Sequence, residues 1–126
     1  MNILLVDDSK TMRNIQKKTL TAIEGVTFSE AGDGVEALAV IAGQPAGFDL
    51  ALVDWNMPNM NGLQLITKIR ETNKKMLLIM VTTEAEKQRV LDALKAGVNN
   101  YVVKPFTPEA LMEKVQQTVA KAKAAA

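Results

Sequence analysis

The chain has no histidine and no cysteine. Without histidine there is no Ser-His-Asp triad and no imidazole base. Without cysteine there is no thiol nucleophile, no disulfide and no ordinary zinc centre. A cysteine-free chain suits the cytoplasm, which is the expected location. Long apolar runs are also missing: Met76 to Val81 is far too short to cross a bilayer. The opening residues, Met1 to Asp8, run straight into acid, so no signal peptide is expected. Charge of one sign is lacking too. Fifteen basic against fourteen acidic residues leave +1, which supports neither a nucleic-acid nor a membrane-surface role. What remains for chemistry is Asp, Glu, Lys, Ser/Thr and a hard metal ion.

What is present is a core. With 126 residues and 48% hydrophobic content, residues 1–126 are expected to form one globular domain. Five apolar runs, Ile3–Val6, Val26–Ala31, Leu50–Val53, Met76–Val81 and Tyr101–Val103, alternate with amphipathic segments. Those segments lie near Ser9–Ala22, Gly34–Ile41, Leu63–Arg70, Glu84–Ala96 and Thr107–Ala122. In the third, Leu63, Ile66 and Ile69 fall at helical spacing, with Lys68, Arg70 and Glu71 outside. The fourth repeats this with Val90, Leu91, Leu94 and Val98, and Gly97 is a natural stop. Short unbroken apolar runs separated by helices predict parallel strands covered on both faces, joined by right-handed crossovers. The Ala/Lys-rich tail from Ala120 reads as a fraying helix end without a function. The seven methionines read as core filler.

Four of the runs end in chemistry. Asp7-Asp8 ends the first, Asp54 ends the third and opens the turn-rich stretch Asp54 to Gly62, and Thr82 and Lys104 follow the last two. The carboxyl edge of a parallel sheet is where ligands bind. Each residue also has a plain reading: one Asp as a helix cap, Asp54 as a turn organiser, Thr83 as a cap before Glu84 and Glu86, Lys104 as a solvated charge. Together they ask for more. Two like charges about 4 Å apart repel by roughly 4 kcal/mol at an effective dielectric of 20, so three converging carboxylates raise a pKa or hold a cation. Oxygen-only donors point to Mg²⁺, with Mn²⁺ as a substitute. Asp54 is the candidate nucleophile, since a carboxylate can take up a phosphoryl group as an acyl phosphate. The Thr82 hydroxyl, with Thr83 and nearby backbone N–H groups, and the Lys104 ammonium suit the phosphoryl oxygens. Pro105 raises the chance of a cis peptide that would fix the direction of the lysine.

These segments, with Glu36-Ala37-Leu38, Asp54 to Met60, Val81-Thr82, Ala96-Gly97 and Val102 to Phe106, stand in the order and spacing of a known family. The chain closely resembles the receiver domain of two-component response regulators, of the single-domain chemotaxis type, from Asn2 to about Val119. The resemblance implies a flavodoxin-like (βα)5 three-layer sandwich, α/β, with a parallel five-stranded sheet of order 2-1-3-4-5. It implies that Asp54 accepts a phosphoryl group from a histidine kinase or from acetyl phosphate. Mg²⁺ would be held by Asp7, Asp8, Asp54 and the Asn56 carbonyl. Lys104 would pair with the phosphate, Thr82 would swing towards it, and Tyr101 would rotate inwards. The downstream target, with the flagellar motor switch as a candidate, would dock on Lys87, Val90, Tyr101, Val103, Phe106 and Lys114. Asn56 and Glu84 would tune the phosphoryl lifetime and resemble the fast-turnover pattern. Ser9, Thr83 and the Ala-rich tail depart from the chemotaxis type. Thr83 is bulkier than the small residue common there, and these departures bear on partner identity rather than on the chemistry.

The expected protein is thus a monomeric phosphoacceptor switch with self-catalysed phosphorylation and dephosphorylation, not an enzyme with a turnover substrate. The alternatives are a phosphorylation-independent interaction module and a haloacid-dehalogenase-type phosphatase. The latter places its nucleophile in an Asp-x-Asp pattern after the first strand, where this chain has adjacent acids. A flavin domain of the same architecture would need a Gly/Ser/Thr phosphate cradle, and the Asp7–Thr11 loop is acidic instead.

Overall fold

The computed structural model describes every residue except Glu84, Ala85 and Ala126. Among the described residues, five strands alternate with five helices. The strands are β1 (Asn2–Val6), β2 (Thr27–Ala31), β3 (Leu50–Asp54), β4 (Leu77–Thr82) and β5 (Asn100–Val103). The helices are α1 (Lys10–Leu20), α2 (Gly34–Ala42), α3 (Gly62–Thr72), α4 (Lys87–Ala96) and α5 (Pro108–Ala125). All strand pairs are parallel, in the order β2-β1-β3-β4-β5, so the expected α/β sandwich and strand order are observed.

The alternation of side chains along each strand builds two cores. Ile3 and Leu5 of β1, Leu50 and Leu52 of β3, and Ile79 and Val81 of β4 pack with Leu20 of α1 and Leu111 and Val115 of α5. Leu4, Val6, Ala51, Val53, Leu78 and Met80 point the other way, against Ala37 of α2, Leu65, Ile66 and Ile69 of α3 and Ala93 of α4. Burial on both faces is why β1, β3 and β4 carry no polar alternation, whereas the edge strand β2, with Thr27, Ser29 and Glu30, is largely uncovered.

Several local expectations are corrected. The cap of α1 is Ser9, whose Oγ accepts the Met12 N–H at 3.2 Å, rather than an Asp of the acid pair. Thr83 does not cap α4; that position is Glu86, which makes no side-chain cap bond. The stripe Val90, Leu91, Leu94 and Val98 holds only in part: Val98, just past α4, is buried in the core. Leu91 and Leu94 are 39% and 48% exposed, while Ala93 is buried. The side of α4 that packs on the core carries the small Ala93 and Ala96, and the two leucines stand outside it. Arg70 is not a surface charge: its guanidinium donates to the carbonyls of Gly97 and Asn73 and to Asn99 Oδ1, at 2.9, 3.1 and 3.0 Å. Burial lowers its pKa. It seals α4 where Gly97, at φ 110, ends the helix in the left-handed region. The alanine tail continues α5 to Ala125, as strong helix formers allow.

Gly62 opens α3 under the Asp54 strand end. Asn61 and Gln64 form a reciprocal capping box there, with bonds of 2.8 and 3.0 Å. A Cβ on Gly62 would strike the Asp54 carbonyl oxygen and lie 2.9 Å from Trp55 Cα, both backbone atoms that no rotamer relieves. Gly62→Ala is therefore expected to lower unfolding stability by about 2–3 kcal/mol in chemical denaturation.

Candidate functional site

Strands β1 and β3 are paired with Val6 opposite Val53, so the next residue of each, Asp7 and Asp54, emerges at the same level of the sheet edge. Both continue the side of Leu5 and Leu52. Asp7 and Asp54 are 1% and 6% exposed, whereas Asp8 faces solvent. One oxygen from each of Asp7, Asp8 and Asp54 can be chosen so that all three lie within 4.8 Å of one another. Asp7 Oδ1 accepts the Ser9 N–H at 2.8 Å. From two strands away, β5 pairs Val103 with Thr82 and delivers Lys104, whose N–H donates to the Thr82 carbonyl at 2.7 Å. Its ammonium bridges Asp7 Oδ2 at 3.2 Å and Asp54 Oδ1 at 3.1 Å. The Lys104–Pro105 peptide is cis.

Burial, and then the negative charge of Asp7, raise the pKa of Asp54 against the pull of Lys104. For Lys104, burial works downward, but the charges of Asp54 and Asp7 and the bonds to both outweigh it, so its pKa is raised. The site is thus a short-range acid cluster held by one ammonium. Converging carboxylate oxygens, with no nitrogen or sulfur donor among them, fit a hard divalent cation.

The loop from Asp54 to Gly62 is fastened at several points. Trp55 N–H donates to the Val81 carbonyl at 3.1 Å, and Gly62 N–H to the Trp55 carbonyl at 2.8 Å. Asn59, at φ 66, donates to Asp33 Oδ2 at 2.8 Å, and the Met60 side chain covers Gly34. Asn56 is exposed on this loop. The Trp55 ring is buried beneath the Arg89 guanidinium of α4, 5.0 Å from its centroid.

Thr82 is buried at the end of β4 on the side of Met80, and Thr83 is exposed. Glu84 lies outside the described residues. Tyr101 is half-buried against the α2–α4 core, with the Lys114 ammonium 5.5 Å from its ring centroid. Tyr101, Val103, Phe106 and Lys114 line one groove between β5 and α5, while Lys87 and Val90 stand on α4. The sequence reading missed Leu91 and Leu94, whose spacing is that of a buried stripe. It also missed Arg13, which donates to the Asp7 carbonyl, because nothing local distinguishes it from a helix-surface arginine.

Because the folded pKa of Asp54 is raised, its ionised form is disfavoured at neutral pH, and that cost fades as pH falls through the folded pKa. Asp54→Asn is expected to stabilise the chain by on the order of 1 kcal/mol at pH 7. The gain should shrink towards zero in denaturant titrations carried down towards the ordinary carboxylate pKa of 3.8.

Residues 3–116 match the model of the response regulator receiver domain family. A chemotaxis protein CheY homolog of Campylobacter jejuni is 50% identical over 121 residues, covering 94% of this chain and 92% of the relative. CheY1 of Helicobacter pylori (strain J99) is 50% identical over 118 residues, covering 92% of this chain and 94% of the relative. Among solved structures, a CheY-like receiver domain from Methanospirillum hungatei superposes with a TM-score of 0.88 at 32% identity, covering 99% of this chain and 98% of the other. The CheX–CheY–BeF3–Mg²⁺ complex of Borrelia burgdorferi gives 0.88 at 28% identity, covering 94% and 89%. Sheet order, acid cluster and these likenesses agree, and the chain belongs to the response regulator receiver domains, signal switches of two-component systems with relatives in chemotaxis.

Proposed function

We propose that Asp54 is the phosphoacceptor of a chemotaxis response regulator, taking its phosphoryl group from a phosphohistidine on a partner kinase or from acetyl phosphate. The observation that carries this reading is the meeting of Asp54, Asp7, Asp8 and Lys104 at one sheet edge. An Asp54 oxygen attacks phosphorus, the bond from phosphorus to the donor breaks, and an acyl phosphate remains on Asp54. Burial that raises the Asp54 pKa also makes its carboxylate a better nucleophile, while the charge of Lys104 pulls against that rise. Asp7, Asp8, Asp54 and the Asn56 carbonyl would hold Mg²⁺, or Mn²⁺ in its place, and the ion would supply positive charge beside the transferring group. The Lys104 ammonium pairs with a phosphoryl oxygen, and the Thr82 hydroxyl, with Thr83 beside it, donates to another.

That charge change biases the switch. Thr82 moves towards the phosphoryl group, Tyr101 turns inwards, and the face carrying Lys87, Val90, Val103, Phe106 and Lys114 is reshaped for a downstream protein. The exposed Leu91 and Leu94 extend the same face along α4. The names of the relatives support chemotaxis as the pathway, and the flagellar motor switch is the target assigned to that face in this reading. The chain acts as one monomeric receiver unit in the cytoplasm, without nucleic-acid or membrane contact. No described helix is long and apolar enough to cross a membrane.

Intact mass after incubation with acetyl phosphate tests the chemistry. A single base-labile phosphoryl adduct is expected that requires both Mg²⁺ and Asp54 and is absent from Asp54→Asn. No adduct at short times, with Mg²⁺ still bound, would make the chain a phosphorylation-independent interaction module. Steady phosphate release from unrelated phosphoesters would make it a phosphatase. Asn56 and Glu84 are assigned to setting a short phosphoryl lifetime. Substituting both should change the decay rate of the adduct by about tenfold, against an unchanged rate if they play no part.

A further inference from the structure

Asp7 is engaged at every polar atom. Its N–H donates to the Ala31 carbonyl at 3.1 Å, Oδ1 accepts from Ser9, and Oδ2 accepts from Lys104. The remaining group, its carbonyl, accepts from Nη1 of Arg13 in the first turn of α1. The Arg13 side chain is 16% exposed, and its Nε donates to Glu30 Oε1 of β2 at 2.9 Å. Lys17 occupies the other Glu30 oxygen at 2.8 Å. Because the peptide unit is planar, pinning the Asp7 carbonyl fixes the plane that joins Asp7 to Asp8. That plane sets the direction in which Asp8, otherwise on an exposed turn, presents its carboxylate.

We infer that Arg13 is a positioning residue for the acid cluster, holding the Asp7–Asp8 peptide in the orientation in which both carboxylates face a divalent cation. The inference rests on the metal-binding reading above. The Arg13 guanidinium serves Glu30 from Nε and the Asp7 carbonyl from Nη1, two nitrogens held in one rigid plane, whereas a lysine here has a single nitrogen on a shorter, flexible stem. The proposal has a sign opposed to plain electrostatics. A cation beside the acids repels Mg²⁺, so removing its charge alone would tighten binding. If Arg13 positions, removing it loosens binding.

The test is a Mg²⁺ titration of the full chain by Trp55 emission and calorimetry at fixed ionic strength, with denaturation midpoints measured alongside. Arg13→Gln and Arg13→Lys are both expected to weaken Mg²⁺ binding by about tenfold, the size seen when supporting groups around a metal site are removed. Arg13→Lys keeps the charge facing Glu30, so it decides the matter if Arg13→Gln does not fold. Mg²⁺ binding in Arg13→Lys as tight as in the unaltered chain, or tighter, would overturn the inference, whatever the change in stability. An unaltered chain that binds no Mg²⁺ would overturn the metal reading itself, and this inference with it.

Discussion

Three carboxylates at one end of a sheet repel one another, and much else in the molecule answers to that repulsion. The parallel pairing of β1 and β3 brings Asp7 and Asp54 out side by side, with Asp8 next in the chain. Burial of two of them worsens the repulsion by removing water that would screen it. The fold offsets this with Lys104, delivered from an outer strand by a turn that also bonds back to β4. An ammonium bridging two acids satisfies the cluster without filling it. The arrangement is therefore held ready for more positive charge, or for a group that needs it, instead of being closed as a buried ion pair.

The same edge is tied to the rest of the domain through backbone more than through side chains. Gly62 lies against the Asp54 carbonyl, Trp55 is bonded at both ends of its peptide, and the Asn61–Gln64 box fixes the start of α3. Opposite them, α4 is held differently. Its only buried residue among those described is Ala93, it has no side-chain cap at its start, and two arginines tie it down. Arg89 lies on Trp55, next to Asp54, and Arg70 bonds to Gly97 at the far end. The half that carries the acids is held through backbone bonds, the half that carries the exposed apolar face by two arginines, and the Arg89–Trp55 contact lies between them.

The sequence was most readable where one physical rule acts alone. The unbroken apolar runs of β1, β3 and β4 read as strands covered on both faces, and Asp7, Asp8, Asp54 and Lys104 could be placed at strand ends without knowing the packing. Strand order came from family resemblance, since periodicity does not specify which strands are neighbours. The reading failed where two rules compete. Leu91 and Leu94 have the spacing of a core stripe, but α4 meets the core through Ala93 and Ala96, so packing overrides hydrophobicity and the leucines stand outside. Arg70 looked like a surface charge because nothing near it in the chain announces the carbonyls of Gly97 and Asn73. Ser9, not an acid, caps α1, and that leaves Asp7 and Asp8 available to one another.

The sparse anchoring of α4 has an evolutionary consequence. Residues that bury little surface can be exchanged at small cost to stability, and most of the outward side of this helix is of that kind. Lineages descending from such a chain could rewrite α4 position by position and acquire new listeners while the sheet edge stays unaltered. In contrast, Gly62 and Asp7 are hemmed in on every side and leave little room for drift. Divergence in such a molecule would gather on one helix.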